Sequence, residues 1–369
     1  MRKIILSFTV LLGLFALNGC ASQNETKRYS RTTLSAGFDT AITRHAYCES
    51  QSEFDEYFAL AEKTFLHYNR LFDNYHTYEG VNNVKTINDH AGKEAISVDA
   101  ELFDLIVLAK EYARLSDQRF DISYGAVLSL WHDAREAALA DPENAQLPDQ
   151  EELETARAYT GFAYVELEES SHQVYLNDPH ASLDLGGIAK GYAAQKCAEA
   201  LKEAGLKSGI VDAGGNVKLI GTKPEGDWNV GIQIPDPAAQ SSTSLLQVAL
   251  PKETSLVTSG DYQRYFEVDG VRYHHIIDPA TAMPATYARS VTVICEDSTI
   301  ADILSTTLFT MPYEEGLALI ENLKAQGIQA EAIWVYDDTC KAPSEADRKK
   351  SGDYEIIATS QIQKQITYQ

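Results

Sequence analysis

The chain has 369 residues, 44% of them apolar, which is ample for one large or two smaller cores and far from the composition of a disordered protein. Its 54 acidic against 31 basic side chains give a formal charge of -23, so the dense Lys/Arg footprint of a nucleic-acid-binding surface is missing and no nucleic-acid partner is expected. An anionic substrate must therefore be met by a local device, namely a metal ion, a lysine or a helix N-terminus.

The chain opens with Arg2 and Lys3, an apolar run from Ile4 to Leu17 that is short for a membrane span, and then Asn18-Gly19-Cys20. Leu17 and Gly19 ahead of Cys20 resemble a bacterial lipobox. That resemblance implies a signal peptide over 1–19, a lipid-modified Cys20 as the mature N-terminus, and an extracytoplasmic protein anchored to the bacterial cell membrane. An ordinary secretory signal cut nearby is the alternative. Residues 20–36 are polar and read as a tether, with folding expected from Gly37, one domain over 37–360 and a tail over 361–369. The remaining cysteines, Cys48, Cys197, Cys295 and Cys340, show no CxxC spacing and are expected as free, mostly buried thiols.

Helical spacing runs over 53–74, with Phe54, Tyr57, Phe58, Ala61, Phe65 and Leu66 on one broad apolar face, and again over 100–116. The polar stretch 135–149 reads as a surface loop between helices. Strands are expected at 163–167, 173–176, 209–212, 228–234, 244–250, 265–268 and 290–294, and a last one at 354–359. Asp269-Gly270 between Val268 and Val271 is a hairpin signal. The mixture predicts an α+β fold with largely antiparallel sheets and packed helices.

Three segments carry chemistry. In SLDLGGIAKGYA (182–193) a strand bearing Asp184 is expected to run into Gly186-Gly187 and then a helix reaching to near Gly205, whose Ala194, Cys197, Ala198 and Leu201 form a buried face. Lys190 starts that face. Paired glycines, unpaired first-turn N–H groups and a lysine suit a phosphate, while Asp184 capping a tight turn and Lys190 snorkelling is the structural alternative. The second segment, Thr258 to Tyr262 with Tyr273 to Pro279, brackets a hairpin. Adjacent His274 and His275 point to opposite strand faces, so one of them faces a site. His275 is either a general base toward a hydroxyl or a partner of the Asp278-Pro279 turn. The third, a helix capped by Asp297 or Ser298, places Asp302 and Thr306 four apart on one face. Carboxylate plus hydroxyl suits Mg2+, which keeps waters and borrows substrate oxygens; a solvated helix edge is the alternative, opposed by the neighbouring Phe309.

With VDAGGNVKLIG, TSGDYQRYFEVDGVRYHHIIDP, SVTVICEDSTIADILSTTLF and FDISYGAVLSLW, these segments resemble, in order, the motifs of ApbE-type FAD:protein FMN transferases, from about Gly37 to Glu321. The resemblance implies a T-fold-like architecture, FAD as substrate, Mg2+, and a threonine of an acceptor flavoprotein as the site of flavinylation. It also implies FAD contacts at Phe38, Tyr78, Phe120, Asp121, Ile122, Asp184, Lys190 and Ile276. Metal contacts are implied at Gly187, Asp302, Ser305 and Thr306, and His275 and Lys190 become catalytic candidates. The chain departs from the family pattern at three places: Phe38-Asp39-Thr40 for Met-Gly-Thr, Asn216 after Gly214-Gly215, and Asp278-Pro279-Ala280-Thr281-Ala282 for Asp-Pro-Arg-Thr-Gly.

Overall fold

The computed structural model describes residues 26–239, 243–340, 342–344 and 346–369, so the signal segment 1–19, Cys20 and the start of the tether lie outside the described residues. Eight α-helices occur among them: α1 Gln51–Phe72, α2 Val84–Asp89, α3 Ala100–Leu115, α4 Gly125–Ala140, α5 Gln150–Arg157, α6 Ala189–Glu203, α7 Ser298–Phe309 and α8 Tyr313–Ala325. The organising element is a nine-stranded antiparallel sheet. Across it lie Lys27–Thr33, Ile42–Cys48, Ser208–Ala213, Asn216–Gly221, Ser255–Gly260, Ser290–Cys295, Ala330–Tyr336, Tyr354–Ala358 and Lys349–Ser351.

Both faces of this sheet are covered. α1, α3, α6 and α7 pack on one face around Phe54, Phe65, Ala194, Cys197, Leu304 and Phe309. A three-stranded sheet, Ile366–Tyr368, Ser244–Leu250 and Trp228–Gln233, closes the other through Trp228, Ile232, Leu246 and Val248 against Leu219, Leu256 and Ile333. Every residue of Ser290–Cys295 is accordingly buried, which removes the alternation that marks a one-sided strand. A third cluster joins α4 and α5 to the hairpin Tyr265–Val268/Val271–His274, whose Asp269 and Gly270 both take positive φ, 52° and 76°.

The α+β, largely antiparallel class holds, and several local readings are corrected. Lys27–Thr33, within the stretch expected as a tether, belongs to the sheet, pairing along its whole length with Ile42–Cys48. The tail pairs too, through Ile366–Tyr368 on Ser244–Leu250. Asp184 lies on an irregular segment, with only an isolated bridge from Ser182 to Tyr124. The polar stretch after Arg135 stays helical to Ala140, because Trp131 and Ala138 pack on one side of α4. Leu66, expected on the buried face of α1, is 37% exposed, and Tyr68, Leu71 and Phe72 complete that face. Cys48, Cys197 and Cys295 are buried free thiols, and Cys340 is partly buried.

Candidate active site

A cavity of about 490 Å³ opens where the α6–α7 corner meets the hairpin and the C-terminal end of α1, a size suited to a cofactor-class ligand. Its lining gathers Phe38, Tyr78, Phe120, Asp121, Ile122, Asp184, Gly187, Lys190, His275, Ile276, Asp302 and Thr306, residues expected from the sequence and spread over more than 260 positions. Among the described residues, Ser305 is the expected site residue not on that lining. It is fully buried, its hydroxyl donating to the Asp302 carbonyl (3.1 Å) and lying 2.9 Å from Ser259 Oγ.

The α6–α7 corner is built on close approach. Gly191 is the third residue of α6, so its N–H has no partner within the helix, and it donates to Asp302 Oδ2 at 2.7 Å. A Cβ there would lie 2.5 Å from Asp302 Cβ and collide with the Ser298 carbonyl. Gly187 is pressed in the same way: a Cβ would sit 3.2 Å from Phe120 and 3.5 Å from Thr306 Oγ1. Burial pushes the Asp302 carboxyl above its ordinary range, opposed by Lys190 and the Gly191 N–H. Burial likewise lowers Lys190, which the Asp302 charge opposes and the Arg264 charge reinforces.

Among the described residues no group of three or more His, Cys, Asp or Glu side chains could hold a metal, so a soft or multi-carboxylate site is not formed. What the corner offers is a carboxylate, the Thr306 hydroxyl and the Gly187 backbone, all hard oxygens. That set fits Mg2+, which accepts few protein ligands.

Asp184 faces the cavity but also holds its own turn: Oδ1 accepts from Gly186 N–H (2.6 Å) and Oδ2 from Asn74 Nδ2 (2.9 Å). Burial raises its pKa against those two hydrogen bonds. Asp121 accepts from the Ser123 N–H and hydroxyl at 2.8 and 2.6 Å and is also raised by burial. Tyr78 donates to Asp73 Oδ2 at 2.7 Å, and burial together with that carboxylate pushes its hydroxyl up to about 12.

Both histidines reach the cavity lining, but they differ in exposure. His274 is buried, its Nε2–H donating to the Ala285 carbonyl (2.8 Å) while Nδ1 accepts from Ile276 N–H (3.2 Å). His275 opens to the cavity, with Nδ1 3.2 Å from the Arg264 carbonyl. A carbonyl only accepts, so Nδ1 carries the proton and Nε2 keeps its lone pair. The ring is open to solvent through the cavity, and desolvation by the surrounding walls, then the charges of His274, Lys190 and Arg264, holds its pKa well below 6.5, so it is a neutral base at pH 7. The Asp278 turn is fixed from outside by Arg119 Nη1 (3.1 Å) and the Tyr287 hydroxyl (3.1 Å). At its end Ala282 occupies the left-handed region, φ 58°, with its carbonyl accepting from Trp131 Nε1 at 2.9 Å.

Sequence patterns did not reveal Asn74 or Arg264, and they flagged the segments holding Gly191 and Ser259 without assigning those two residues a role. Only Gly191 carried a usable signal, a glycine in the first turn of a helix that otherwise prefers alanine.

Comparison with known proteins gives a consistent set of matches. The model of the ApbE family matches residues 38–331. A Treponema pallidum protein named FAD:protein FMN transferase is 31% identical, covering 88% of this chain and 89% of its own length. A Klebsiella pneumoniae protein of the same name is 34% identical over 71% of this chain and 78% of its own. Among solved structures, the ApbE protein of Thermotoga maritima superposes with a TM-score of 0.71 at 32% identity, covering 84% of this chain and 94% of that one. The apo flavinyl transferase ApbE of Pseudomonas stutzeri, 24% identical, shares the fold with a TM-score of 0.69 over 92% of this chain and 97% of its own.

Proposed function

The chain belongs to the ApbE family, and we propose that it is a Mg2+-dependent FAD:protein FMN transferase that moves FMN from FAD onto a threonine hydroxyl of an acceptor flavoprotein and releases AMP. The observation that carries this reading is the convergence on one cavity of the glycine-rich turn with Lys190, the Asp302/Thr306 helix face and the cavity-facing His275.

The chemistry follows from what each group can do. Phe38, Tyr78, Phe120 and Ile276 supply apolar and aromatic walls for a flavin or adenine ring, and the α6 N-terminus with Lys190 supplies positive potential for a pyrophosphate. Asp302, Thr306 and the Gly187 carbonyl would hold Mg2+, with Ser305 behind them bracing Ser259; when bound, the ion supplies charge neutralisation at pyrophosphate oxygens. The acceptor oxygen attacks the FMN phosphorus, the bond from that phosphorus to the bridging oxygen breaks, and AMP leaves with the bridging oxygen. His275 Nε2 takes the hydroxyl proton and returns it to solvent. Lys190 meets charge gathering on the phosphoryl oxygens.

Incubation of the purified protein with FAD, Mg2+ and a threonine-bearing acceptor tests the reading. Covalent FMN on the acceptor by mass, with AMP in equal amount, is expected. AMP and free FMN without adduct would make the protein a FAD pyrophosphatase, and saturable FAD binding with no AMP would make it a flavin-binding protein.

The lipobox-like Leu17 to Cys20 supports the further proposal that Cys20 carries the lipid anchor of an extracytoplasmic protein. Release of wild-type and Cys20→Ala protein from membrane fractions would separate the anchor from an ordinary secretory signal.

A further inference from the structure

We propose that Arg264 is a positioning residue that locks the strained turn Gly37-Phe38-Asp39 and the His275 ring into one unit across the mouth of the cavity. The proposal rests on the reading that this cavity receives FAD and that His275 serves its chemistry.

The turn is unusual in its backbone. Gly37, Phe38 and Asp39 take successive positive φ values of 92°, 60° and 47°, in a region where a bulky residue such as Phe38 is an outlier. Such a conformation persists only when its surroundings over-determine it. Two side chains do so here. Asn69 of α1 accepts the Phe38 N–H at 2.7 Å and lies so close that a Cβ on Gly37 would fall 2.6 Å from Asn69 Cβ. Arg264 Nη2 donates to the carbonyls of both Phe38 (3.0 Å) and Asp39 (2.9 Å). The Phe38 ring is then set edge-on to Phe65, with centroids 6.1 Å apart, and lines the cavity.

The other end of the same residue holds the histidine. The Arg264 carbonyl accepts from the His275 backbone N–H at 3.0 Å and meets His275 Nδ1 at 3.2 Å. One residue therefore spans from the flavin-facing turn to the base. Positive charges around the His275 ring come from α6 through Lys190 and from Arg264 itself, with His274 beside it on the hairpin. Removing the guanidinium thus loosens the turn and also removes one of the charges that keep His275 unprotonated.

Hydrogen exchange of the amides of residues 37–40, measured on the FAD-free protein, reads the clamp directly. Steady-state FMN transfer with a pH profile reads its consequence. In R264A, exchange of these amides is expected to rise about tenfold or more, KM for FAD to rise about tenfold with a smaller fall in kcat, and the acid limb of kcat/KM to move up by roughly half a pH unit. R264K keeps the charge, so its acid limb stays in place while exchange still rises; it also serves if R264A does not fold. D39G, introduced into R264A, relieves part of the backbone cost and is expected to recover protection at residues 37–40. Wild-type protection in both R264A and R264K, or no recovery in R264A/D39G with the fold intact by circular dichroism, overturns the clamp. A wild-type protein that transfers no FMN overturns the functional reading instead and leaves the exchange result standing.

Discussion

The two walls of the cavity are made by opposite means. The α6–α7 wall is rigid because atoms are missing: Gly191 lets α6 meet the backbone of α7, Gly187 lets the turn press on the side chains of Phe120 and Thr306, and the buried Asp302 carboxylate takes an otherwise orphan helix N–H. The facing wall is rigid despite atoms that do not belong there. Phe38 and Asp39 hold left-handed backbone without glycine, as Ala282 does in the turn behind the lining residue Trp131, and Asn69, Arg264 and Trp131 hold them in turn by hydrogen bonds. A wall made by close packing fails when anything is added. A clamped wall fails when a clamp is removed, and gains when its strain is relieved.

Four substitutions probe that contrast. Asp302→Ala removes the carboxylate of the packed wall and is expected to lower Mg2+-dependent turnover about 10³-fold, with FAD affinity measured in the absence of Mg2+ far less affected. Wild-type turnover in this variant at matched Mg2+ would break the assignment of the wall to the ion.

His275→Gln, on the clamped wall, is expected to cost about 10²-fold in kcat while keeping the cleft's shape. Because its pKa lies well below 6.5, wild-type kcat/KM stays flat as the pH falls through 6.5 and drops only when the depressed value is reached. The linkage has the same sign for stability. Below pH 6.5 the unfolded chain binds a proton at this position that the folded chain refuses, so acidification costs stability there. An acid limb at 6.5 or above would show that His275 is not the titrating base.

Gly191→Ala adds a single methyl group at the α6–α7 contact. The expected cost is about 2–3 kcal/mol by denaturant unfolding, with activity down tens of fold as Asp302 is pushed aside. A stable, fully active G191A would mean that the two helices part without consequence. Ala282→Gly goes the other way and is expected to stabilise by about 0.5–1 kcal/mol, since it relieves a left-handed alanine; a lower unfolding midpoint would show that the turn carries no strain.

The packed wall was the more legible in sequence, since glycine spacing and a helical Asp/Thr pair are local patterns. α6 and α7 appear where periodicity puts them, Asp297 caps α7 through the N–H groups of Thr299 and Ile300, and the Asp269-Gly270 hairpin forms in register. Phe38 and His275 on the clamped wall were expected, but the clamps that hold them were not legible. Arg264 reaches Phe38 across 226 positions, and no local pattern encodes such a contact. Lys27–Thr33 escaped for another reason: it is a mostly exposed edge strand, KRYSRTT, whose stability comes from the ladder with Ile42–Cys48 more than from burial. Asn216–Gly221 escaped because its buried positions include Asn216 and Lys218, which reverses the usual polar-out pattern, and Ala330–Tyr336 because it is buried at every position but Glu331.

The early start of the sheet also sets a length. With a lipid on Cys20, as proposed, only residues 21–26 separate the anchor from the first strand, and seven Cα-to-Cα steps reach at most about 25 Å. A domain of this size has a radius of gyration of about 20 Å. On so short a leash the enzyme would tumble against the membrane and could not range far from it. The acceptors within reach would then be those whose flavin-bearing domains also stand close to the lipid surface.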